Sequence, residues 1–207
     1  MQYLNRIKQA LQGPRIGPSP QIREFLLQYG LYNIIFINVC RKPVQEYILK
    51  AAEIISLGEF NKKRVELNYD KLFHLYLLLT LRYNDDIIYI KLEKNKVVQI
   101  KKIILVNDKD CMLIEVLLNY SMNLNTFINN GIKLQGSNFW IYDSIHLNCQ
   151  NFVNTLLRAN SLGNEKIYNF VEQNVDELVV KPVQKIFRFV TDLAARIDII
   201  KYGFGLI

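Results

Sequence analysis

The fold is decided by residues 72–93, which read LFHLYLLLTLRYNDDIIYIKLE. Two apolar, strand-like runs flank the cluster 84–86 (NDD), whose residue types form tight turns in hairpins. A third strand-like run, 97–106, follows a polar turn at 94–96. We therefore expect three antiparallel strands arranged as a meander.

The short turn also predicts how the first two strands pair. If the turn has two residues, Tyr76 opposes Glu93 and His74 opposes Asn95. Glu93 then lies one diagonal step from His74 on the same face of the sheet. Glu93 would stabilise an imidazolium, whereas Asn95 would only fix the tautomer, and a bulge would change the assignment. Composition alone favours a solvated turn at 93–96 at least as well.

A second informative stretch, 147–153 (LNCQNFV), places a cysteine at the start of a short amphipathic helix. Asn148 can cap that helix, and Cys149 falls in its first turn. Unpaired backbone N–H groups and the positive end of the helix dipole lower the pKa of a thiol there, and they could also bind an oxyanion. The alternative is that Cys149 is a small buried hydrophobe, which is the commoner outcome for a lone cysteine.

A cysteine nucleophile needs a base, normally a histidine, and a third polar group that orients the imidazole. The chain has two histidines. His74 lies early in the first strand of the meander, and His146 lies three residues before Cys149. His74 is therefore the candidate base, although a lone strand histidine is more often a hydrogen-bonded structural residue.

The three cysteines are widely separated, odd in number and without CxxC spacing, so we expect no disulfide framework and a reducing intracellular compartment. His146-x-x-Cys149 has the spacing of metal ligands, and His74, Cys40 or Cys111 could complete a set. Without paired CxxC or HxxxH spacing, this use is weakly supported. We expect neither a metal nor another cofactor.

The composition is that of a globular protein, since half of the 207 residues are hydrophobic and 22% are charged. The formal net charge of +7 is spread over small groups, so nucleic-acid binding is only weakly supported. We find neither a secretory signal nor 18 consecutive apolar residues, and we expect no transmembrane segment.

We divide the chain into an N-terminal extension of helix and strand (1–68), a core (69–162) and a C-terminal helical extension that packs on the core (163–207). The patterns outside the meander predict these further elements: a helix at 21–29, a strand at 33–39, a helix from Pro43 to 57, helices at 112–120 and 123–129, a helix from Cys149, and helical structure after 163 that includes an amphipathic segment at 183–200.

Three segments together resemble the circularly permuted papain-like cysteine hydrolases. They are 73–75 (FHL), 92–95 (LEKN) and 148–153 (NCQNFV), and the resemblance covers about residues 69–160. This group is related to the NlpC-type peptidases and the lecithin:retinol acyltransferase-like enzymes, and it includes members in large DNA viruses. In these proteins a strand histidine precedes the helix cysteine, the reverse of papain, and this chain has that order.

The resemblance implies an α+β fold with a permuted papain-like (NlpC-like) core, in which a small antiparallel sheet packs on the helix that carries the nucleophile, with flanking helices. The family's strand histidine falls on His74 and its nucleophile on Cys149. Its third polar residue falls on Glu93 or Asn95. Tyr142 would line the site, as an aromatic residue does in relatives.

The function implied is that of a thiol-dependent hydrolase or acyltransferase, acting on an amide or ester of a protein or lipid substrate. Asn148 and Gln150, at the helix start, would help to bind the substrate or the oxyanion. A different class of function remains open. The chain could be a catalytically inert papain-like module that serves as a structural or interaction component of a virus particle, with other virion proteins as partners and the host cytoplasm or the virion as its location.

Overall fold

The computed structural model describes residues 17–44, 58–66, 72–104, 110–143 and 146–172. These residues form an α+β fold with a five-stranded antiparallel sheet in the order β4-β3-β2-β1-β5. In chain order the elements are α1 (Pro20–Tyr29), β1 (Asn33–Pro43), α2 (Glu59–Glu66), β2 (Phe73–Tyr83), β3 (Asp86–Lys94), β4 (Val98–Lys102), β5 (Met112–Val116), α3 (Leu124–Gln135), a 3-10 turn (Gly136–Phe139), α4 (Cys149–Ala159) and α5 (Glu165–Val171).

The predicted meander and its register are confirmed. Tyr83 pairs with Asp86 across a two-residue turn, and Tyr76 pairs with Glu93. Asn84 has φ 50 in this turn, a left-handed conformation that asparagine tolerates better than most residues. Strand β4 pairs with β3 as expected and ends at Lys102. The hairpin therefore sets Glu93 on the same face as His74.

Two predictions about the elements beside the meander are wrong. The predicted helix at 112–120 begins instead as β5, because its short apolar run adds to the open edge of β1, with Ile114 opposite Val39. Pro43 ends β1 opposite Phe73, rather than beginning a helix. At the end of a strand, its missing N–H interrupts no ladder inside the sheet. Residues 45–57 of the helix predicted from Pro43, and the segment at 183–200, lie outside the described residues.

One face of the sheet forms the core. In β2 the alternate residues Leu75, Leu77, Leu79 and Leu81 are all at most 1% exposed, the period-two pattern of a strand with one covered face. Helix α4 packs on β2 and β3, with α3 beside it. Its buried hydrophobic residues recur at helical spacing and are Phe152, Val153, Leu156 and Leu157. This packing places the start of α4 at the end of β2 that carries His74.

The close approach of α3 and α4 requires a glycine. A Cβ at Gly131 would lie 2.8 Å from the side chain of Leu156 and 2.9 Å from that of Phe139. These contacts are shorter than carbon atoms normally make, so a larger residue at this position would push α3 away from the helix that begins with Cys149.

The remaining predicted elements that fall on described residues, namely α1, β1, α3, α4 and α5, are confirmed, with β1 and α3 longer than expected. Strand β1, from the predicted extension 1–68, lies between β2 and β5 in the sheet. In α5, Ile167 and Val171 belong to the same hydrophobic core. Within the described part of the chain, no helix has both the length and the apolar character needed to cross a membrane.

Candidate active site

Helix α4 begins at Cys149 because the preceding residue caps it, as predicted. The side-chain oxygen of Asn148 accepts hydrogen bonds from the backbone N–H groups of Gln150 (3.0 Å) and Asn151 (3.1 Å). An asparagine cap satisfies donors that a helix start otherwise leaves unpaired. The cap does not engage the N–H of Cys149, which thus remains a first-turn donor beside the thiol.

The structure brings Cys149, His74 and Glu93 together. His74 Nε2 lies 3.0 Å from Glu93 Oε2. The His74 ring is also hydrogen-bonded to the side chain of Cys149. Because Nε2 faces the carboxylate, Nδ1 is the nitrogen left for the sulfur. A thiol, an imidazole and a carboxylate in series can orient the ring and share a proton between sulfur and nitrogen.

The electrostatics of this series favour a charged pair. Burial by itself lowers the pKa of His74, but its hydrogen bonds to Cys149 and Glu93, with the negative charges of both groups, raise that pKa to about 9. For Cys149, burial raises the pKa of the thiol. The hydrogen bond to His74, its positive charge, and the backbone N–H groups of Leu75 and Gln150 outweigh burial and lower that pKa. The arrangement therefore stabilises a thiolate beside an imidazolium.

Glu93 lies at the centre of a cluster of cationic side chains. Its side chain is 4% exposed, and its carboxylate lies 2.7 Å from Lys91 Nζ and 3.5 Å from Lys101 Nζ. Burial raises the pKa of Glu93, but the hydrogen bond from His74 and the charges of Lys91 and His74 hold it well below its usual range. Lys91 and Lys101 face each other across β3 and β4, where like charges repel unless a carboxylate lies between them.

Sequence reasoning missed these two lysines. A usable signal was present for Lys91, because the period of two along β3 places it on the face of Glu93. The predicted meander pairs β4 with β3, but the register that places Lys101 opposite Lys91 was not predicted.

The interpretation of 93–96 as a solvated turn is wrong for its first two residues, since Glu93 is 3% exposed and Lys94 is fully buried. Lys94 Nζ donates to the backbone oxygen of Asn138 (3.2 Å) and lies 5.8 Å from the centre of the Phe152 ring. Burial lowers the pKa of Lys94 to about 8. No pattern in the sequence distinguishes this buried lysine from its partly exposed neighbour Lys96.

The other predicted site residues lie around this series. Asn95 is in the turn between β3 and β4, and among the described residues Glu93, not Asn95, supplies the oxygen that meets the His74 ring. Tyr142 is partly buried in the segment that leads to α4, and Gln150 is buried in its first turn. Contact of Asn148, Gln150 and Tyr142 with a substrate stays a prediction.

The residues considered as metal ligands do not come together in one group within the described part of the chain. His146 is exposed before α4, and its backbone N–H donates to Asp143. Cys40, buried in β1, lies beside Cys111, which accepts a hydrogen bond from the Tyr76 hydroxyl (3.2 Å). Over the described ranges, no group of three or more His, Cys, Asp or Glu side chains is arranged to bind a metal ion.

Comparison of the chain with models of known protein families, with curated proteins and with solved structures gives no match. The function is therefore inferred from the geometry and electrostatics of the site.

Proposed function

We propose that this protein is a thiol-dependent hydrolase or acyltransferase with a permuted papain-like core, acting on an amide or ester through Cys149 and His74. The observation that carries the proposal is the hydrogen-bonded series from Cys149 through His74 to Glu93. The order of its elements, a strand histidine before a helix cysteine, supports the permuted arrangement. The partial exposure of the Cys149 residue and of the His74 side chain (27%) leaves the pair open to a substrate.

In the proposed reaction, the Cys149 thiolate attacks the carbonyl carbon of the substrate, and the carbonyl π electrons move onto the oxygen. The oxyanion collapses and expels the amine or alcohol, which takes its proton from the His74 imidazolium. The product is an acyl thioester on Cys149. Water or an acceptor then attacks this thioester, with neutral His74 as the base that takes its proton, and the thiolate and imidazolium are restored.

Backbone N–H groups at the start of α4 are the proposed oxyanion donors. The N–H of Cys149 is outside the cap, whereas that of Gln150 already bonds to Asn148. Donors fixed on a helix start require no reorganisation as charge develops on the substrate oxygen. The same chemistry serves peptide amides and lipid esters, so protein and lipid substrates both belong to the proposal.

The proposal is tested by acylation and alkylation of Cys149 in the wild type, His74→Ala and His146→Ala. p-Nitrophenyl acetate should acetylate Cys149 and release p-nitrophenol catalytically, and iodoacetamide should label Cys149 with an apparent pKa well below about 8.5. Both reactivities should be lost in His74→Ala. They should persist in His146→Ala, because that exposed histidine is outside the series.

The opposite result would be slow labelling of Cys149 that is indifferent to His74, without acetylation. It would overturn the proposal and favour the inert structural or interaction module, for which binding partners would then be sought. Reading the Cys149 peptide by mass spectrometry separates its reaction from those of Cys40 and Cys111, so the wild-type cysteines can be retained.

A further inference from the structure

Arg41, near the end of β1, is held by aromatic rings. Its guanidinium carbon lies 4.3 Å from the centre of the Phe73 ring and 4.9 Å from that of Phe170 in α5. Two such contacts fix the plane of the guanidinium and attract its positive charge. Arg41 is therefore a positioned cation rather than a mobile surface side chain.

This cation has no described anionic partner. Arg41 Nε is buried without a hydrogen bond, and within the described residues none of the ion pairs involves Arg41. Partial burial without a counter-ion disfavours the charged form. Lys91 and Lys101 differ in this respect, because both pair with the Glu93 carboxylate. An incoming anion would compensate Arg41 without breaking a protein ion pair.

The register places Arg41 opposite a residue whose backbone meets the candidate nucleophile. Arg41 lies directly opposite Leu75 in the β1–β2 pair. The backbone N–H of Leu75 is hydrogen-bonded to the sulfur of Cys149. The ring of Phe73, over which the guanidinium lies, belongs to the residue that precedes His74. Arg41, Phe73 and Leu75 share the face of β1 and β2 on which α4 packs, so the cation lies on the same face of the sheet as the start of α4.

We propose that Arg41 binds an anionic oxygen group of the substrate, a carboxylate or a phosphate, next to the bond that Cys149 attacks. This inference rests on the proposed function of the Cys149–His74 pair. A guanidinium donates paired N–H groups in a geometry that matches the oxygens of carboxylates and phosphates. The site therefore selects substrates that carry negative charge close to the scissile amide or ester.

The test compares two alkylating reagents of nearly equal size, neutral iodoacetamide and anionic iodoacetate. In each, the Cys149 sulfur attacks the methylene carbon and iodide leaves. The ratio of the iodoacetate rate to the iodoacetamide rate at Cys149 measures anion binding beside the thiol, independently of the substrate's identity. Arg41→Gln should lower this ratio about two- to fivefold, the range expected for loss of one partly exposed charge contact. Arg41→Lys should lower it less.

Arg158→Gln is the matched control, since Arg158 is an exposed arginine in the last turn of α4, paired with Glu172. It should leave the ratio unchanged. In the wild type, added acetate and inorganic phosphate should suppress iodoacetate labelling selectively, and the anion that acts at the lower concentration identifies the group bound. This part of the experiment uses the wild-type protein alone and does not depend on the folding of a variant.

A ratio that is the same in the wild type, Arg41→Gln and Arg41→Lys overturns the inference, as does a wild-type ratio that neither anion changes. Either outcome is distinguishable from failure of the proposed function. If Cys149 is not activated, iodoacetamide labelling itself is slow and does not depend on His74.

Discussion

Replacing Glu93 by glutamine removes the charge that supports the His74 imidazolium while keeping an oxygen for its Nε2–H. The side chain is nearly isosteric, and its oxygen can still accept at the observed 3.0 Å. Any change in the reactivity of Cys149 therefore reports the charge of Glu93 rather than a displaced ring. Burial then acts on the imidazolium with less opposition, so the pKa of His74 should fall and that of Cys149 should rise.

The magnitude follows from the environment of His74, whose pKa is raised from 6.5 to about 9. The net rise of about 2.5 is what the hydrogen bonds and charges of Cys149 and Glu93 leave after burial has opposed them. If Glu93 supplies about half of it, Glu93→Gln lowers the pKa of His74 by about one unit, which corresponds to about 1.4 kcal/mol. Because the two groups share a proton, the apparent pKa of Cys149 should rise by a similar amount.

The assay is the rate of iodoacetamide labelling of the Cys149 peptide as a function of pH. In Glu93→Gln the labelling curve should move to higher pH by roughly one unit, with about a tenfold lower rate at a pH below both inflections. Glu115→Gln is the matched control, because Glu115 is exposed on β5. A Glu93→Gln curve that superimposes on the wild-type curve would refute the assignment of Glu93 as the charge that supports the pair.

Three further outcomes are expected. Asn148→Ala should lower the free energy of unfolding in urea by about 1 kcal/mol and slow the labelling of Cys149. Asn164→Ala, which removes the cap of α5, should lower stability alone, and equal labelling rates in the two variants would contradict the role of the Asn148 cap. Cys149→Ala should move the pKa of His74 below about 9, because the thiolate charge is lost, and an unchanged imidazole NMR titration would contradict the pair. Burial lowers the pKa of Lys94 to about 8, so between about pH 8 and 10 the unfolded chain binds more protons than the folded protein, and the free energy of unfolding of the wild type rises with pH. The difference in this free energy between Lys94→Met and the wild type should therefore shrink over that window, and a constant difference would contradict this.

Local sequence patterns predicted most of the described elements and the diagonal relation of His74 to Glu93. A two-residue turn in a hairpin transmits its register along both strands, so counting from Asn84 was sufficient to place Tyr76 opposite Glu93. The asparagine cap and apolar stripe of α4 were predictable for the same reason, since each depends on residues within a few positions.

The errors lie where distant strands decide the structure. The residues of β5 fit a helix or a strand equally well over so short a run, and pairing with β1 determines the outcome. Lys101 meets Glu93 only because of the register of β4 against β3, and Lys94 is buried only because α4 covers the end of β3. No local pattern records these contacts.

By itself, the sequence determined an α+β chain with a hairpin meander, a capped helix that begins at Cys149, and a histidine and a carboxylate one diagonal step apart. Only the tertiary structure decided that α4 packs with its first turn at the His74 end of β2, that Lys91 and Lys101 surround Glu93, and that Arg41 lies over Phe73. The physical reason is that hydrogen bonds in turns and caps join neighbours in sequence. The burial and charge contacts that set the pKa values of Cys149 and His74 join residues up to 75 positions apart.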